Sequence, residues 1–403
     1  MPALGNVNAK LYGSLNLTDV LYNVNGKTVL FSNPNVPVAE VMNNINGVNT
    51  LTTNIRETIL AGGFKAFGGY NTVSIGARAD LGVSVPRSLF RLVKEGIANR
   101  TYDIHNVGVS ALGYGELAFN HSRDISHLVP GMRIGAAVKF LMGVASVDGR
   151  FNQADLELGT DDWRVTSDAD VYVNLGGFEY KRKYSEKLGR DYVSGVDMDG
   201  NGSVGPNGFG MAFDLGLTYK WNDLTLSLAA LDMGFITFSD TKYATTGGKQ
   251  TFNTDNYVFK PSDMDGSWDE FVDGFDKLYK LEDRGNVGKH TRGLGATINA
   301  GAEYAMPFYR KLSIGFLSST RIFGKYSWSE ARFSANVAPA KCFSAGVNFA
   351  VGTYGCAFGW LLNYSYTGFN LFIGMDNTYL KMAKQGVPLH SNTAVNLGIN
   401  FPF

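Results

Sequence analysis

The sequence predicts an all-β protein, a transmembrane antiparallel outer-membrane β-barrel of roughly 14–16 strands. Three observations lead to this fold class: long segments of apolar and polar alternation, charges on the polar face of those segments, and long connections gathered on one side. Glycine (49 residues) and aromatic residues (13%) are frequent while charged residues make up only 18%. That composition suits strands and tight turns. Basic and acidic residues balance at 36 each, so charge gives no reason to expect nucleic-acid binding.

The C-terminal segment shows the clearest alternation. Its apolar set is Val395, Leu397, Ile399, Phe401 and Phe403. Because successive side chains of a strand point to opposite faces, one face is purely apolar. A strand that ends in this way resembles the last strand of outer-membrane barrels, which the barrel-assembly machinery reads, and Phe401 and Phe403 are the candidate assembly signal. The alternative is the edge strand of a soluble sandwich.

The segment 72–85 alternates over 14 residues, longer than the five or six of an ordinary strand and long enough to cross a membrane. Its polar face carries Arg78 and Asp80. In a sandwich these charges would enter a dry core, which is costly, whereas in a wide barrel they meet a wet lumen. By the same alternation, Lys139, Asp214 and Glu303 are further candidates to face the lumen.

A pass along the chain predicts about sixteen strands. They span 5–17, 50–67, 71–85, 102–121, 132–147, 150–159, 163–175, 208–221, 224–238, 293–306, 311–323, 328–338, 341–352, 356–366, 369–377 and 392–403. The longer connections all follow odd-numbered strands and therefore lie on one side, as the outer loops of a barrel do. These connections are 18–49, 86–101, 176–207, 239–292 and 378–391. Short helices are expected within them, at 36–45, 86–93 and 263–281.

The chain contains no apolar run of about 18 residues, so no transmembrane helix is predicted. A strand pattern follows Met1 directly, without the regions of a signal peptide, and we expect residues 1–403 to form one mature barrel domain. Cys342 and Cys356 fall on consecutive strands with a turn near Thr353. Cys356 then lies opposite Val351, and the two sulfurs are roughly 30 Å apart, too far for a disulfide. We expect both cysteines to be free.

Asp197, Asp199 and Asn201, followed by Gly202, match the first half of a calcium loop, and Ca²⁺ is the one cofactor the sequence suggests. The twelfth position is Gly208 instead of the bidentate glutamate, so a polar loop tip is the alternative.

His121, Ser122 and Asp124 lack a nucleophile elbow, and adjacent His and Ser point to opposite faces of a strand, so no enzyme is predicted. The basic run 180–184 is a candidate contact for lipopolysaccharide phosphates or for a protein, or else a solvated loop.

Several motifs resemble a family of Bacteroidota outer-membrane proteins known only as a domain of unknown function. They are Pro2–Asn8, Glu116–Arg123, Asp214–Gly216, Leu231–Ile236 and Tyr326–Glu330. That family is in turn similar to FadL-like barrels, which include long-chain fatty acid transporters and PorV-type secretion accessories. The resemblance implies about 14 strands, so one predicted hairpin, near 147–163, would lie above the membrane. It also implies an N-terminal plug, which would have to precede Met1 or be absent.

Two functions follow as hypotheses. The first is FadL-like passage of a small hydrophobic or amphiphilic molecule, through a lumen of mixed charge. The second is a scaffold or accessory subunit of an outer-membrane complex, favoured by the long outer loops. The expected partners are outer-membrane lipid and lipopolysaccharide, the barrel-assembly machinery during insertion, and a protein of the complex under the second hypothesis.

Overall fold

The computed structural model describes residues 3–159, 162–186, 189–198, 205–256, 264–376 and 392–401. Within them, fourteen long strands form a closed antiparallel barrel. In chain order these strands are β1 Ala3–Gly13, β2 Val48–Ala66, β3 Gly69–Pro86, β4 Gly108–Asp124, β5 Met132–Leu158, β6 Gly208–Trp221, β7 Leu224–Phe238, β8 Ala296–Ala305, β9 Leu312–Ile322, β10 Trp328–Ala340, β11 Phe343–Gly352, β12 Gly355–Tyr366, β13 Phe369–Asp376 and β14 Thr393–Asn400.

Each strand pairs with the next, and β14 closes the cylinder by pairing with β1, where Val7 lies opposite Leu397. This closure leaves no free sheet edge along the wall. The predicted loop asymmetry is confirmed. One end of the barrel has short turns such as 67–68, 222–223 and 367–368, and the other end carries the long connections.

The long connections build a rim of short elements. Its strands are Leu21–Val24, Lys27–Leu30, Arg100–Asp103, Trp163–Leu175, Phe178–Ser185, Arg190–Met198, Lys242–Thr245, Gln250–Asn253, Glu282–Asn286 and His290–Gly293. Its helices are α1 Leu17–Val20, α2 Val38–Asn44, α3 Arg87–Glu95 and α4 Met264–Tyr279, with a 3₁₀ turn at Thr254–Asn256. The three predicted helices are therefore confirmed. Among the described residues, no helix is long and apolar enough to cross a membrane.

The parse into sixteen strands is wrong at one place, and the count of 14 implied by the resemblance is right. The predicted strands 132–147 and 150–159 are one strand, β5, because Gly149 stays paired on both sides, with Val109 and with Val171. The segment Trp163–Leu175 pairs with the upper half of β5 and with Lys242–Thr245, so it belongs to the rim. The lower half of β5 pairs with β6, which continues the barrel.

The outer wall is apolar, the reverse of a soluble protein. Outward side chains such as Ile75, Phe140, Phe213 and Leu397 are 44–47% exposed. The alternation predicted for the C-terminal strand is confirmed, because Val395 and Leu397 face outward while Ala394 is buried. The charged residues of the same strands turn inward instead, where they fill part of the lumen.

The cysteines lie where the sequence placed them. Cys356 is opposite Val351, the turn joins Gly352 to Gly355, and Cys342 is in a short turn at the other end of the hairpin. Both are free and exposed.

Candidate functional site

The centre of the lumen is Asp232 on β7. The ladder between β6 and β7 shifts register between Phe213 and Leu215, so β7 bulges and Asp232 adopts a φ of 58°. A residue with a side chain rarely adopts this left-handed conformation, and a bulge re-aims its side chain. The Oδ1 atom of Asp214 accepts the backbone N–H of Asp232 at 2.7 Å, which holds the bulge in place. The carboxylate of Asp232 is thereby turned into the lumen, with only 3% of the side chain exposed.

Three cations converge on Asp232 from three other strands. The Nζ atom of Lys139 on β5 lies 2.6 Å from its Oδ1. Arg78 on β3 and Arg56 on β2 each reach its Oδ2 at 3.1 Å. A buried carboxylate is tolerated only when cations and hydrogen bonds replace the water it has lost, and here all three donors are charged.

The same network extends in both directions around the wall. Lys139 also contacts Asp214 at 2.6 Å, and Arg78 contacts Glu116 on β4 at 2.8 Å. Asp80 on β3 pairs with Arg321 on β9 at 3.0 Å, and it also accepts a hydrogen bond from Asn54. We call these eight charged residues the ionic layer: Arg56, Arg78, Asp80, Glu116, Lys139, Asp214, Asp232 and Arg321. It holds four cations and four carboxylates, so its formal charges cancel.

The ionic layer crosses the lumen. Strands β3 and β9, which carry Asp80 and Arg321, are six places apart in a barrel of fourteen and so face each other across it. A direct contact between opposite walls divides the lumen at this level.

An apolar segment lies directly above the ionic layer, toward the rim. Leu112, Tyr114, Leu141, Ile236 and Phe238 form a buried cluster inside the barrel together with Ala212. The ring of Phe238 fits because Gly143 and Gly208 have no side chains there. A Cβ added at either glycine would lie 2.6 Å from that ring.

The short connection between β9 and β10 closes the same end. Tyr326 in this connection is buried, and its hydroxyl shares its one proton between the carbonyls of Gly82 and Gly108 on the facing strands, at 3.3 and 3.4 Å. Gly82 has to be a glycine, since a Cβ would lie 2.8 Å from the tyrosine ring. Beside it Arg292, from a rim strand, donates to the hydroxyls of Ser110 and Ser146.

Below the ionic layer, toward the short turns, the lumen is hollow. One cavity of about 470 Å³ is lined by small inward residues such as Gly216, Ser227 and Ala229, and it reaches up to Asp214. A second cavity of about 500 Å³ includes Glu303 in its lining. The barrel is thus wide at the short-turn end and filled at the rim end.

A second polar cluster lies inside the barrel on strands β1, β10 and β13, beyond the strand that carries Arg321. Arg332 on β10 binds Asp376 on β13 at 2.7 Å and Glu330 at 2.9 Å. The ammonium of Lys10 on β1 lies 4.2 Å from the ring centroid of Trp328, in a cation–π contact. These contacts join β1, β10 and β13 from inside.

The sequence-predicted lumen residues fall into two groups. Arg78, Asp80, Lys139 and Asp214 all belong to the ionic layer, whereas Glu303 lies apart in the lower cavity and accepts a hydrogen bond from Ser313. The sequence reasoning missed Arg56, Glu116, Asp232 and Arg321. A signal for Asp232 was present, since it is the charged residue that directly follows the alternating leucines of 224–228 and the apolar residues 229–231.

The other candidates are placed as follows. Asp199 and Asn201 of the calcium loop lie outside the described residues, while Asp197 pairs with Lys181 at 3.3 Å. Phe403 also lies outside them, and the ring of Phe401 packs 6.0 Å from that of Phe369.

His121 and Ser122 make separate contacts, with Asn71 and with the carbonyl of Tyr70, because they sit on opposite faces of β4. In the basic run, the Arg182 side chain pairs with Asp283 within the rim.

The family described as a family of unknown function, DUF5723, matches residues 1–376 of this chain. No curated protein matches it. Among solved structures, the toluene transporter TbuX of Ralstonia pickettii is similar with a TM-score of 0.45 and 10% identity, over 100% of this chain and 89% of that one. The CymD monoaromatic hydrocarbon channel gives a TM-score of 0.43 and 8% identity, over 100% and 88%. The toluene transporter TodX of Pseudomonas putida gives 0.39 and 7%, over 99% and 88%. Likenesses this distant say nothing about function.

Proposed function

The chain belongs to the family of unknown function DUF5723, and we propose from its own geometry that it is a gated outer-membrane barrel that passes small amphiphilic molecules. One observation carries the proposal: inside the lumen, the apolar segment lies directly on the ionic layer. A water-filled porin has a polar lumen throughout. A path that is charged at one level and apolar at the next suits a solute that has both kinds of surface.

The apolar outer wall supports the membrane location. It combines half-exposed aliphatic and aromatic residues on all sides with inward charges, which is the pattern of a barrel in lipid. Aromatic residues at the short turns, such as Phe67, Trp221 and Phe308, are 62–84% exposed and suit a membrane interface. In an outer membrane the long-loop rim would face the cell exterior and the short turns the periplasm.

The hollow lower half supports passage. Cavities of about 470 and 500 Å³ give a transported molecule the space that it needs on one side of a gate. The ionic layer is the gate in this proposal. Its ion pairs are formed between side chains, so they can separate through rotamer changes while the ladder of the wall stays intact.

The test is a flux measurement in proteoliposomes made from the full chain. Uptake of hexanesulfonate, an amphiphile whose fixed charge keeps it from crossing lipid by itself, is compared with that of sucrose, which has no apolar part. We expect protein-dependent uptake of hexanesulfonate and none of sucrose. Ala229→Trp fills the lower cavity from the lumen face and should abolish uptake. Ala300→Trp, which points outward on the neighbouring strand β8, is the matched control and should leave it unchanged.

Equal uptake with Ala229→Trp, or none with the unaltered chain, would reject the proposal. The scaffold hypothesis would then be favoured if the barrel copurified in stoichiometric amount with another protein. The signal at Phe401 and Phe403, lipopolysaccharide contact at the basic run 180–184 and calcium at Asp197 stay predictions.

A further inference from the structure

On the described barrel strands, a carboxylate lies midway up the outward face, that of Glu57 on β2. Its neighbour Arg56 points into the lumen, where it binds Asp232, and successive side chains of a strand point to opposite sides. Glu57 therefore points outward, and it is exposed. In the described part of the chain, the carboxylate makes no ion pair.

Apolar residues surround Glu57 in every direction along the wall. On its own strand, Ile55 lies toward the rim and Ile59 toward the short turns, and both are 40–50% exposed. On the adjacent strands its register partners are Val7 on β1 and Ala77 on β3. The carboxylate thus lies within the apolar belt and away from both of its edges. The other outward charge of these described strands, the cation Arg123, lies next to the short turns.

A charged side chain in the hydrocarbon region costs free energy, so such residues mark a function or a contact. Glu57 does not contact the ionic layer, because its side chain lies on the opposite side of the barrel wall. The residues next to Glu57 across the neighbouring strands are small: Ala77 is its register partner on β3, and Gly115 is the partner of Ala77 on β4. Small side chains let the backbone of another protein approach closely. A partner that approached there could pair with the carboxylate away from water.

We propose that Glu57 marks the docking surface for a second membrane protein, one that presents a lysine or arginine from its own lipid-facing wall. The proposal rests on the membrane location proposed above and does not depend on transport. The negative charge of Glu57 indicates which partner can bind at this surface. A second copy of this chain meeting at the same surface would set two carboxylates against each other, and the outward belt of the described strands offers no cation at this level.

In the isolated barrel the Glu57 carboxylate has no partner cation among the described residues and lies unpaired in the apolar belt, which destabilises the fold. Replacing it with an apolar residue should stabilise the lone protein. Glu57→Leu should therefore raise the unfolding temperature of the purified chain in phosphatidylcholine liposomes. Ile55→Leu, on the same face of the same strand, should leave that temperature unchanged.

The decisive measurement uses the full chain in the membranes of its natural host. A photo-crosslinking residue at Ala77 should capture one membrane protein, whose crosslinked peptide contains a basic residue in a membrane-spanning segment. Native gel electrophoresis should show the barrel in a complex that Glu57→Leu and Glu57→Gln lose by about tenfold and that Glu57→Asp retains, because only the aspartate keeps the charge-assisted bond. Ile55→Leu should keep the complex.

Crosslinks to lipid alone, to a second copy of this chain, or to a partner segment without a cation would overturn the proposal, as would a complex that survives in Glu57→Leu. Flux through the lone barrel is measured separately in liposomes. A failure of transport and a failure of docking can therefore be told apart.

Discussion

Asp232 on β7 accepts hydrogen bonds from Arg78 on β3, whose Nη1 atom lies 3.1 Å from both carboxylate oxygens. The two strands are four places apart in the barrel, so this contact spans the lumen and does not follow the wall. It depends on the positive φ of Asp232, which aims the carboxylate inward. A locally unfavourable backbone conformation thus places the acceptor at the centre of the ionic layer.

Asp232→Asn should loosen the ionic layer. The amide cannot balance Arg56, Arg78 and Lys139, which then repel one another in a poorly hydrated space. Removing one partner of a buried ion pair costs on the order of 3 kcal/mol, and we expect a loss of that size together with a larger ion conductance. Planar-bilayer recording and thermal unfolding would measure the two effects. Asp223→Asn, at a short turn, is the control, and equal behaviour of the two variants would contradict the gate.

The pair between Asp80 and Arg321 should show a clear coupling energy, because the two side chains are buried and join opposite walls. A double-mutant cycle with Asp80→Asn and Arg321→Gln should give about 1–2 kcal/mol. The exposed pair between Arg310 and Asp223, 3.7 Å apart, should give less than about 0.5 kcal/mol in the same assay. A coupling for the buried pair as small as for the exposed pair would mean that the lumen is wet and open at this level.

Most of the barrel could be predicted from the sequence, because alternation with a period of two reports which face each residue takes. Arg78, Asp80, Lys139 and Asp214 follow from it, since they sit in regular stretches of β3, β5 and β6. Asp232 does not follow. The leucine alternation of 224–228 would place Asp232 on the outward face, but the bulge shifts the phase and turns its side chain inward.

The pairings across the lumen could not be predicted. Asp80 and Arg321 are 241 residues apart in the chain and six places apart around the barrel, and nothing local relates them. One sequence signal was available and went unused, because Arg56 and Glu57 are adjacent charges in a strand and one of them must face the membrane. The sequence prediction divided β5 into two strands at Asp148-Gly149, because this dipeptide is common in turns. In the structure, the strands paired on both sides of Gly149 hold it extended.

The rim should lose local stability in acid through Asp170. Burial raises the pKa of this carboxyl, but hydrogen bonds donated by Tyr243 and Asn152 outweigh burial and hold the pKa below its usual value. A lowered folded-state pKa stabilises the fold above the unfolded pKa of about 3.9, and that contribution disappears as the pH falls through the folded value.

Amide hydrogen exchange in Lys242–Thr245, corrected for the intrinsic rate, should therefore speed up between pH 5 and pH 2, a window set roughly by that pKa. Asp170→Asn should show faster exchange at pH 7 and little further change in acid. If the variant kept the full acid response, another group would be responsible.

The two native cysteines should report the orientation of the barrel. Cys342 lies in a short turn and Cys356 borders a connection at the rim end, and both are exposed and free. A membrane-impermeant maleimide applied to intact cells should therefore label Cys356 and leave Cys342 unlabelled, because the short turns would face the periplasm. Permeabilised cells should show both labels. The single variants Cys342→Ser and Cys356→Ser assign each signal, and labelling of Cys342 in intact cells would show that the rim faces inward instead.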